Sequence, residues 1–171
     1  MDDVVLFTIW FIKYYLPLMV ANASPLLVKG SLRIDFSKNF IDGRPILGRN
    51  KTWEGFITGF YMGFSTTVVL SIVFNDLNLL WVAGIGVLMG LTGDLAGSFI
   101  KRRIGIESGN PLPVVDQLDF AIMGTIYYIL IKAIDIRREY LFIVYAFVII
   151  GVLHVITNRI AYILGLKDKK W

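Results

Sequence analysis

The chain has 171 residues, 56% of them hydrophobic, and a mean hydropathy of +0.68, a composition that belongs to an integral membrane protein and excludes an ordinary soluble domain. It has no cysteine and one histidine, which excludes disulfides, thiolate metal sites and cysteine catalysis and leaves too few ligands for zinc. The formal net charge of +4 does not point to nucleic acid, because most of the bases flank apolar segments, the pattern that sets membrane topology.

Apolar runs that reach, or nearly reach, the ~20 residues of a bilayer-spanning helix lie at about 3–21, 53–74, 77–100, 116–134 and 140–164. Continuous runs of this kind exclude a closed barrel, and with no water in lipid to satisfy the backbone they are helical. The first run follows Asp2 and Asp3 without a basic leader, so no cleavable signal peptide is expected. It holds Lys13 near its midpoint, placed to enter a cavity or to snorkel. The segment 22–52 carries Lys29, Arg33, Lys38, Arg44, Arg49 and Lys51. Its stretch 42–52 superficially resembles a P-loop, but Arg49 and Asn50 separate Gly48 from Lys51 and no strand precedes it. Glycines, bases and an approaching helix N-terminus still suit an anion.

In the second run Gly55, Gly59 and Gly63 recur every four residues, and Gly86, Gly90, Gly93 and Gly97 line one side of the third. This spacing predicts that the two helices approach each other closely, bringing residues 51–54 beside Asp94 and Lys101. The segment 101–115 begins Lys101-Arg102-Arg103 and contains Pro111 and Pro113. Asp116 and Asp119 open the fourth run, Lys132 lies near its outer end, and the fifth carries His154 and Asn158 one turn apart, before a tail with Lys167, Lys169 and Lys170. Assigning the basic segments to the cytoplasm puts the N-terminus outside and the C-terminus inside the cell membrane. The predicted architecture is one domain over 1–171, all-α, with five transmembrane helices and a polar cleft facing the cytoplasm.

Asp94 is the only charge in its apolar run, and charged groups at membrane depth mark ion or substrate sites. Asp94, Ser98 and Lys101 share one helix face, with Asp94 roughly 10 Å deeper than Lys101 at about 1.5 Å per residue. Asp116 and Asp119 share another face, where a helix N-terminus also favours carboxylates. Carboxylates combined with substrate phosphates are what Mg²⁺ selects, so Asp94, Asp116 and Asp119 are the candidate metal ligands, and Lys101 and Arg102 the groups that offset charge on a polyphosphate. Arg103 is assigned to topology or to contact with membrane lipids.

The blocks Lys51-Thr52-Trp53-Glu54-Gly55, Gly93-Asp94, Ser98, Lys101-Arg102, Asp116-Gln117-Leu118-Asp119 and His154 with Asn158 resemble, in order and spacing, the CDP-archaeol synthases, a family of archaeal membrane cytidylyltransferases. The resemblance runs over nearly the whole chain. A more distant similarity links it to phosphatidate cytidylyltransferases, which share Ser-x-x-Lys-Arg and Asp-x-x-Asp but carry a histidine–glycine pair where this chain has Asn110-Pro111-Leu112-Pro113. The resemblance implies Mg²⁺-dependent transfer of CMP from CTP to an isoprenoid diether glycerol phosphate, 2,3-di-O-geranylgeranylglyceryl phosphate, giving CDP-archaeol and pyrophosphate. It implies Asp94, Lys101, Asp116 and Asp119 as catalytic and Lys51, Thr52, Ser98, Lys101, Arg102, His154 and Asn158 as contacts to CTP. A homo-oligomer is compatible with it.

Three other readings are a phosphatidate cytidylyltransferase acting on ester lipids, a small ion transporter or channel with a path through Asp94, Lys13 and His154, and a non-catalytic assembly scaffold. A transporter spreads ionisable groups through the bilayer depth, whereas here the acids and most bases crowd one side. The topology has a direct test in this cysteine-free background. Single cysteines at Asn39 and Asn110 are expected to react with an impermeant reagent only from the cytoplasmic side, and one at Asp76 only from outside; labelling of Asn39 or Asn110 from outside sealed vesicles overturns the arrangement.

Overall fold

In the computed structural model, residues 2–165 are described, and the chain is helical throughout apart from loops and two isolated antiparallel bridges, Arg33 with Thr52 and Asn39 with Pro45. Six helices follow one another: α1 (Asp3–Tyr14), α2 (Leu16–Ala23), α3 (Trp53–Val73), α4 (Asn78–Arg103), α5 (Val115–Leu130) and α6 (Ile136–Ile163), with a 3₁₀ turn, Ser24–Leu27, extending α2.

The first apolar run is not one helix. It breaks at Tyr15, and the two halves meet at 44°. Pro17 in the first turn of α2 has no N–H to give the preceding turn. A break in an apolar setting leaves backbone groups that must be satisfied internally, and the Tyr128 hydroxyl donates to the Tyr14 carbonyl at 3.0 Å. Tyr15 and Tyr128 are fully buried. The Tyr15 hydroxyl is 2.7 Å from Thr125 Oγ1, and the Tyr14 hydroxyl donates to the Ala133 carbonyl at 3.1 Å, so each of the three phenols at this junction has a polar partner.

The other helix limits shift for physical reasons as well. The third run continues to Arg103 instead of stopping at 100, with Lys101 and Arg102 both buried and Lys101 paired with Asp116. The fourth stops at Leu130, four residues early, where the Tyr128 carbonyl accepts from Ala133 and Ile134. At 16 residues α5 is about 24 Å long, short of the ~30 Å hydrocarbon core. Three helices, α3, α4 and α6, have the length and composition to cross a membrane, and the bent α1–α2 pair with its 3₁₀ turn makes a fourth if it counts as one span.

The α3 glycines do meet α4, since a Cβ on Gly59 would lie 3.0 Å from Leu91 Cδ2 and one on Gly63 2.9 Å from Val87 Cγ1, but they serve α2 as well, and Gly86, Gly93 and Gly97 of α4 face α5. Gly59 and Gly63 seat α2: a Cβ on Gly59 would lie 2.7 Å from the Ala21 carbonyl, and one on Gly63 2.7 Å from the Ala21 Cβ and 2.9 Å from the Pro17 carbonyl. The α4 glycines seat α5. A Cβ on Gly93 would lie 2.5 Å from the Asp119 carbonyl and 2.7 Å from the Met123 Cβ, one on Gly86 would strike the Tyr128 hydroxyl, and one on Gly97 the Asp119 carboxylate. Only Gly84, among the described α4 glycines, turns to α3, meeting Phe64 at 3.0 Å. The short α2 occupies the middle of the bundle, with Leu18 against Gly90 and Gly124.

This seam has a measurable consequence. Gly→Ala in a helix interior gains about 1 kcal/mol of intrinsic propensity, but overpacking a tight contact costs about 1–3 kcal/mol. Gly97→Ala is expected to lower the thermal midpoint in detergent, whereas Gly151→Ala, whose Cβ would meet nothing closer than Gln117 Oε1 at 3.8 Å, is expected to raise it or leave it unchanged. A Gly97→Ala protein as stable as the parent removes the steric argument.

Candidate active site

Lys51 is aimed by the loop that precedes α3. The Ile34 N–H donates to the Lys51 carbonyl at 3.0 Å, and the Trp53 N–H to the Leu32 carbonyl at 2.9 Å. Glu54 holds the facing loop segment, accepting from the Ser31 N–H at 2.9 Å, the Ser31 hydroxyl at 2.8 Å and the Leu32 N–H at 3.1 Å. The Thr52 hydroxyl caps α3 by accepting from the Gly55 N–H at 3.2 Å, an ordinary N-cap bond. Pinned on both sides, the Lys51 ammonium reaches α4 and lies 2.6 Å from each carboxylate oxygen of Asp94.

A second pair sits beside the first. Lys101 Nζ is 2.8 and 2.6 Å from the two oxygens of Asp116, and the Leu112 N–H donates to the same carboxylate at 2.9 Å. That last bond closes the turn into α5, in which Val114 takes φ 69°, a costly conformation for a β-branched residue that persists where surrounding contacts impose it. Asp119, one turn on, lies in the space left by Gly97 and accepts from the Phe120 N–H at 2.7 Å; Asp94 and Lys51 are its foremost charged neighbours. Removing ions from water is costly unless they are paired, and both lysines meet that condition with partly buried carboxylates.

The two loops enclose a cavity of ≈ 430 Å³ lined by Arg33, Arg44, Arg49, Arg102, Gly48 and Ser108 among others, with Arg102 following Lys101 on α4 and neither lysine–carboxylate pair in the lining. Arg102 is buried, and its Nε and Nη1 have no hydrogen-bond partner among the described residues. A buried guanidinium with free donors is a group prepared for an anion. Gly48 borders it with φ 99°, and a Cβ there would lie 3.1 Å from Ser108 Oγ and 3.4 Å from Arg102 Nη1. Asp35 and Glu107 in the same wall offset part of the arginine charge. Burial alone would raise the Asp35 carboxyl, but the N–H groups of Gly48, Leu47 and Ser37, with Arg33 nearby, hold it below the ordinary carboxylate range. Arg103 is a clamp between loops and not merely a topology signal: it pairs with Asp42 at 3.0 Å, donates to the Arg44 and Pro45 carbonyls and stacks over Phe40 and Phe99.

A family model described as "CarS-like: CDP-archaeol synthase" matches residues 1–171. The chain belongs to this family. Among curated proteins it is 53% identical to the CDP-archaeol synthase of Staphylothermus marinus, over 96% of this chain and 94% of that one. With the CDP-archaeol synthase of Sulfurisphaera tokodaii it shares 40% identity over 98% and 99% of the two chains. A solved structure described as an intramembrane enzyme for archaeal membrane lipids biosynthesis is similar with a TM-score of 0.79 and 36% identity, covering 86% of this chain and 91% of that one. The protein is accordingly a multi-pass membrane enzyme of the cytidylyltransferase kind.

In this CDP-archaeol synthase family member the structure brings Lys51, Asp94, Lys101, Arg102, Asp116 and Asp119 to one end of α4 and α5. The expected trio of metal-ligating acids is not a cluster: among the described residues no three of His, Cys, Asp and Glu are placed to hold one ion, because lysines stand between them. Ser98 lies half-buried on α4. Thr52 is occupied as a cap, and His154 and Asn158, half-buried on α6, are not among the residues lining the arginine cavity. Lys13 is taken up elsewhere, pairing with Asp76 at 3.3 Å and lying 4.9 Å over the Phe74 ring, at the far end of α3 from Lys51. The family match favours the transferase reading over the transport path. The tail lysines Lys167, Lys169 and Lys170 lie outside the described residues. From sequence Arg44 and Arg49 belong to a stretch suited to an anion and Arg33 is a topology signal; that they share one cavity with Asp35 and Ser108 is visible only in the structure.

The pairs are coupled, which a double-mutant cycle reads directly. Lys101→Met and Asp116→Asn each leave the partner uncompensated and are expected to lower stability by about 1–3 kcal/mol, and the double variant by less than the sum. Strict additivity in thermal unfolding would sink the pairing argument.

Proposed function

We propose that the protein transfers CMP from CTP to an isoprenoid diether glycerol phosphate, 2,3-di-O-geranylgeranylglyceryl phosphate, forming CDP-archaeol and pyrophosphate. The observation that carries the reading is the arginine cavity, with its partnerless Arg102 nitrogens, joined through Arg102 to the stretch of α4 that carries Lys101, whose partner is Asp116. Its volume lies within the range of about 300–1,000 Å³ typical of small-molecule sites, and the curated relatives bear the name of this activity.

The chemistry is an in-line displacement. A phosphate oxygen of the lipid forms a bond to the α-phosphorus of CTP as the bond to the pyrophosphate oxygen breaks. A phosphomonoester is already largely ionised near neutral pH, so no protein nucleophile is needed. Arg102 and the neighbouring arginines hold the triphosphate, and Lys51 and Lys101, exchanging carboxylate for phosphate, offset charge as it shifts to the departing pyrophosphate. Asp116 keeps Lys101 aimed, and Asp94 keeps Lys51 aimed. The base-reading group stays unassigned, and Ser98, Thr52, His154 and Asn158 are proposed as secondary polar contacts.

The donor set suits Mg²⁺. That ion takes one or two protein carboxylates and completes its shell with water and phosphate, and a cation already lies against both oxygens of Asp94, the Lys51 ammonium, beside Asp119. Asp94 and Asp119 would hold the ion, with Asp116 joining when Lys101 moves to phosphate. A bound Mg²⁺ supplies charge neutralisation on the triphosphate. The proposed topology is five crossings with the cavity in the cytoplasm. The bent α1–α2 pair counts as one, and α5 completes the set, its shortness taken up by local thinning or snorkelling.

The reading predicts a specific pattern in purified protein given labelled CTP, Mg²⁺ and matched diether and ester lipid phosphates. CDP-lipid is expected from the diether in preference to the ester and is expected to vanish with chelator. Asp94→Asn and Asp119→Asn are each expected to lower turnover by about 10²-fold or more, in line with loss of a preorganised electrostatic group. Near-normal turnover by folded Asp94→Asn removes that residue, and absence of product from both lipids refutes the assignment.

A further inference from the structure

Among the described glycines within helices, Gly151 stands apart. Added Cβ atoms at Gly59, Gly63, Gly86, Gly93, Gly97 and Gly124 would all collide with a neighbour, and at Gly55, Gly84 and Gly90 they would be tight. At Gly151 the only atom in reach is Gln117 Oε1, at 3.8 Å. Close packing therefore does not explain a glycine in the middle of α6, where it costs about 0.5–1 kcal/mol against alanine. What its missing side chain leaves is space: an apolar groove of ≈ 560 Å³ between α5 and α6, lined by Val114, Leu118, Phe147, Val148, Gly151 and Val152 among others. Gln117, which also lines it, lies next to Asp116, the partner of Lys101.

We propose that this groove receives one apolar chain of the lipid phosphate, and that Gly151 keeps it open. The inference rests on the proposed transfer reaction and names where its lipid lies. One end of the groove adjoins the α5 turn that carries Asp116, so a phosphate beside Lys101 has its hydrocarbon delivered along α6 without crossing a charged wall. The groove is open at the surface of the bundle and lined by apolar side chains, which gives a lipid a lateral way in. An anionic head beside a paired ammonium and an apolar tail against α6 is the chemistry of an acidic lipid with long aliphatic chains, and the charge at the head end distinguishes it from a neutral bilayer lipid.

Gly151→Leu tests this, because the substituted side chain has room to point into the groove without striking a neighbour. With long-chain diether phosphate its KM is expected to rise by about 10-fold or more, the range in which apolar pockets discriminate, while the KM for CTP, the thermal midpoint and turnover of a short-chain, water-soluble glycerol diether phosphate bearing the same phosphomonoester stay at parental values. Unchanged KM for the long-chain lipid overturns the proposal, and so does an equal loss with the short-chain compound. An independent readout uses Val152→Cys in the cysteine-free chain. Long-chain lipid phosphate is expected to slow its reaction with a small thiol reagent more than phosphatidylcholine at the same mole fraction in detergent; equal protection by both means an ordinary boundary lipid and refutes the groove's role. If the parental enzyme makes no CDP-lipid at all, the transfer reading fails, while the protection experiment still decides the groove.

Discussion

Asp119 lies against α4 because residue 97 has no side chain, and the depth and tilt of α5 follow from that contact together with Gly93 and Gly86. In lipid the association of helices draws on close van der Waals packing more than on the hydrophobic effect, so small residues decide which helices meet. Here they decide chemistry as well. The seam draws α5 so close that its first turn presents Asp116 to Lys101 and Asp119 to the neighbourhood of Asp94. With a larger residue at 97 the same acids would exist but would no longer converge on the end of α4.

The opposite end of the bundle obeys a second requirement, that no backbone carbonyl be left alone in an apolar interior. The break between α1 and α2 exposes the Tyr14 carbonyl, and Tyr128 on α5 satisfies it. Because Tyr128 also rests on Gly86, the junction that accommodates the break and the seam that positions the acids belong to one continuous contact. The short α2 can then sit at the centre, bounded by α3, α4 and α5, instead of crossing as half of a straight helix.

The lysine–carboxylate pairs give the site its preorganisation. Each ammonium is held close to two oxygens, so the groups that meet phosphate are already desolvated and aimed, and little reorganisation remains for the reaction itself. The arginine cavity extends this field outward. Its loops are fastened to each other by Arg103 and Arg44 and to α3 by Glu54, which lets a segment without regular structure act as a firm wall.

Read alone, the sequence determined the membrane class, the helices and their approximate limits, the polar residues at one end and the family to which they belong, because long apolar runs and charges within them have few physical solutions. It also placed Lys51 beside Asp94 by a packing argument that holds for Gly59 and Gly63, which meet Leu91 and Val87 of α4, but not for Gly86, Gly93 and Gly97, which face α5. Only the tertiary structure decided that point, along with the break at Tyr15, the burial of Lys101 and Arg102, the joining of distant arginines in one cavity and the open space at Gly151. These depend on which faces meet across the bundle. Periodicity along one helix states that a face is small or polar, but not what stands opposite it.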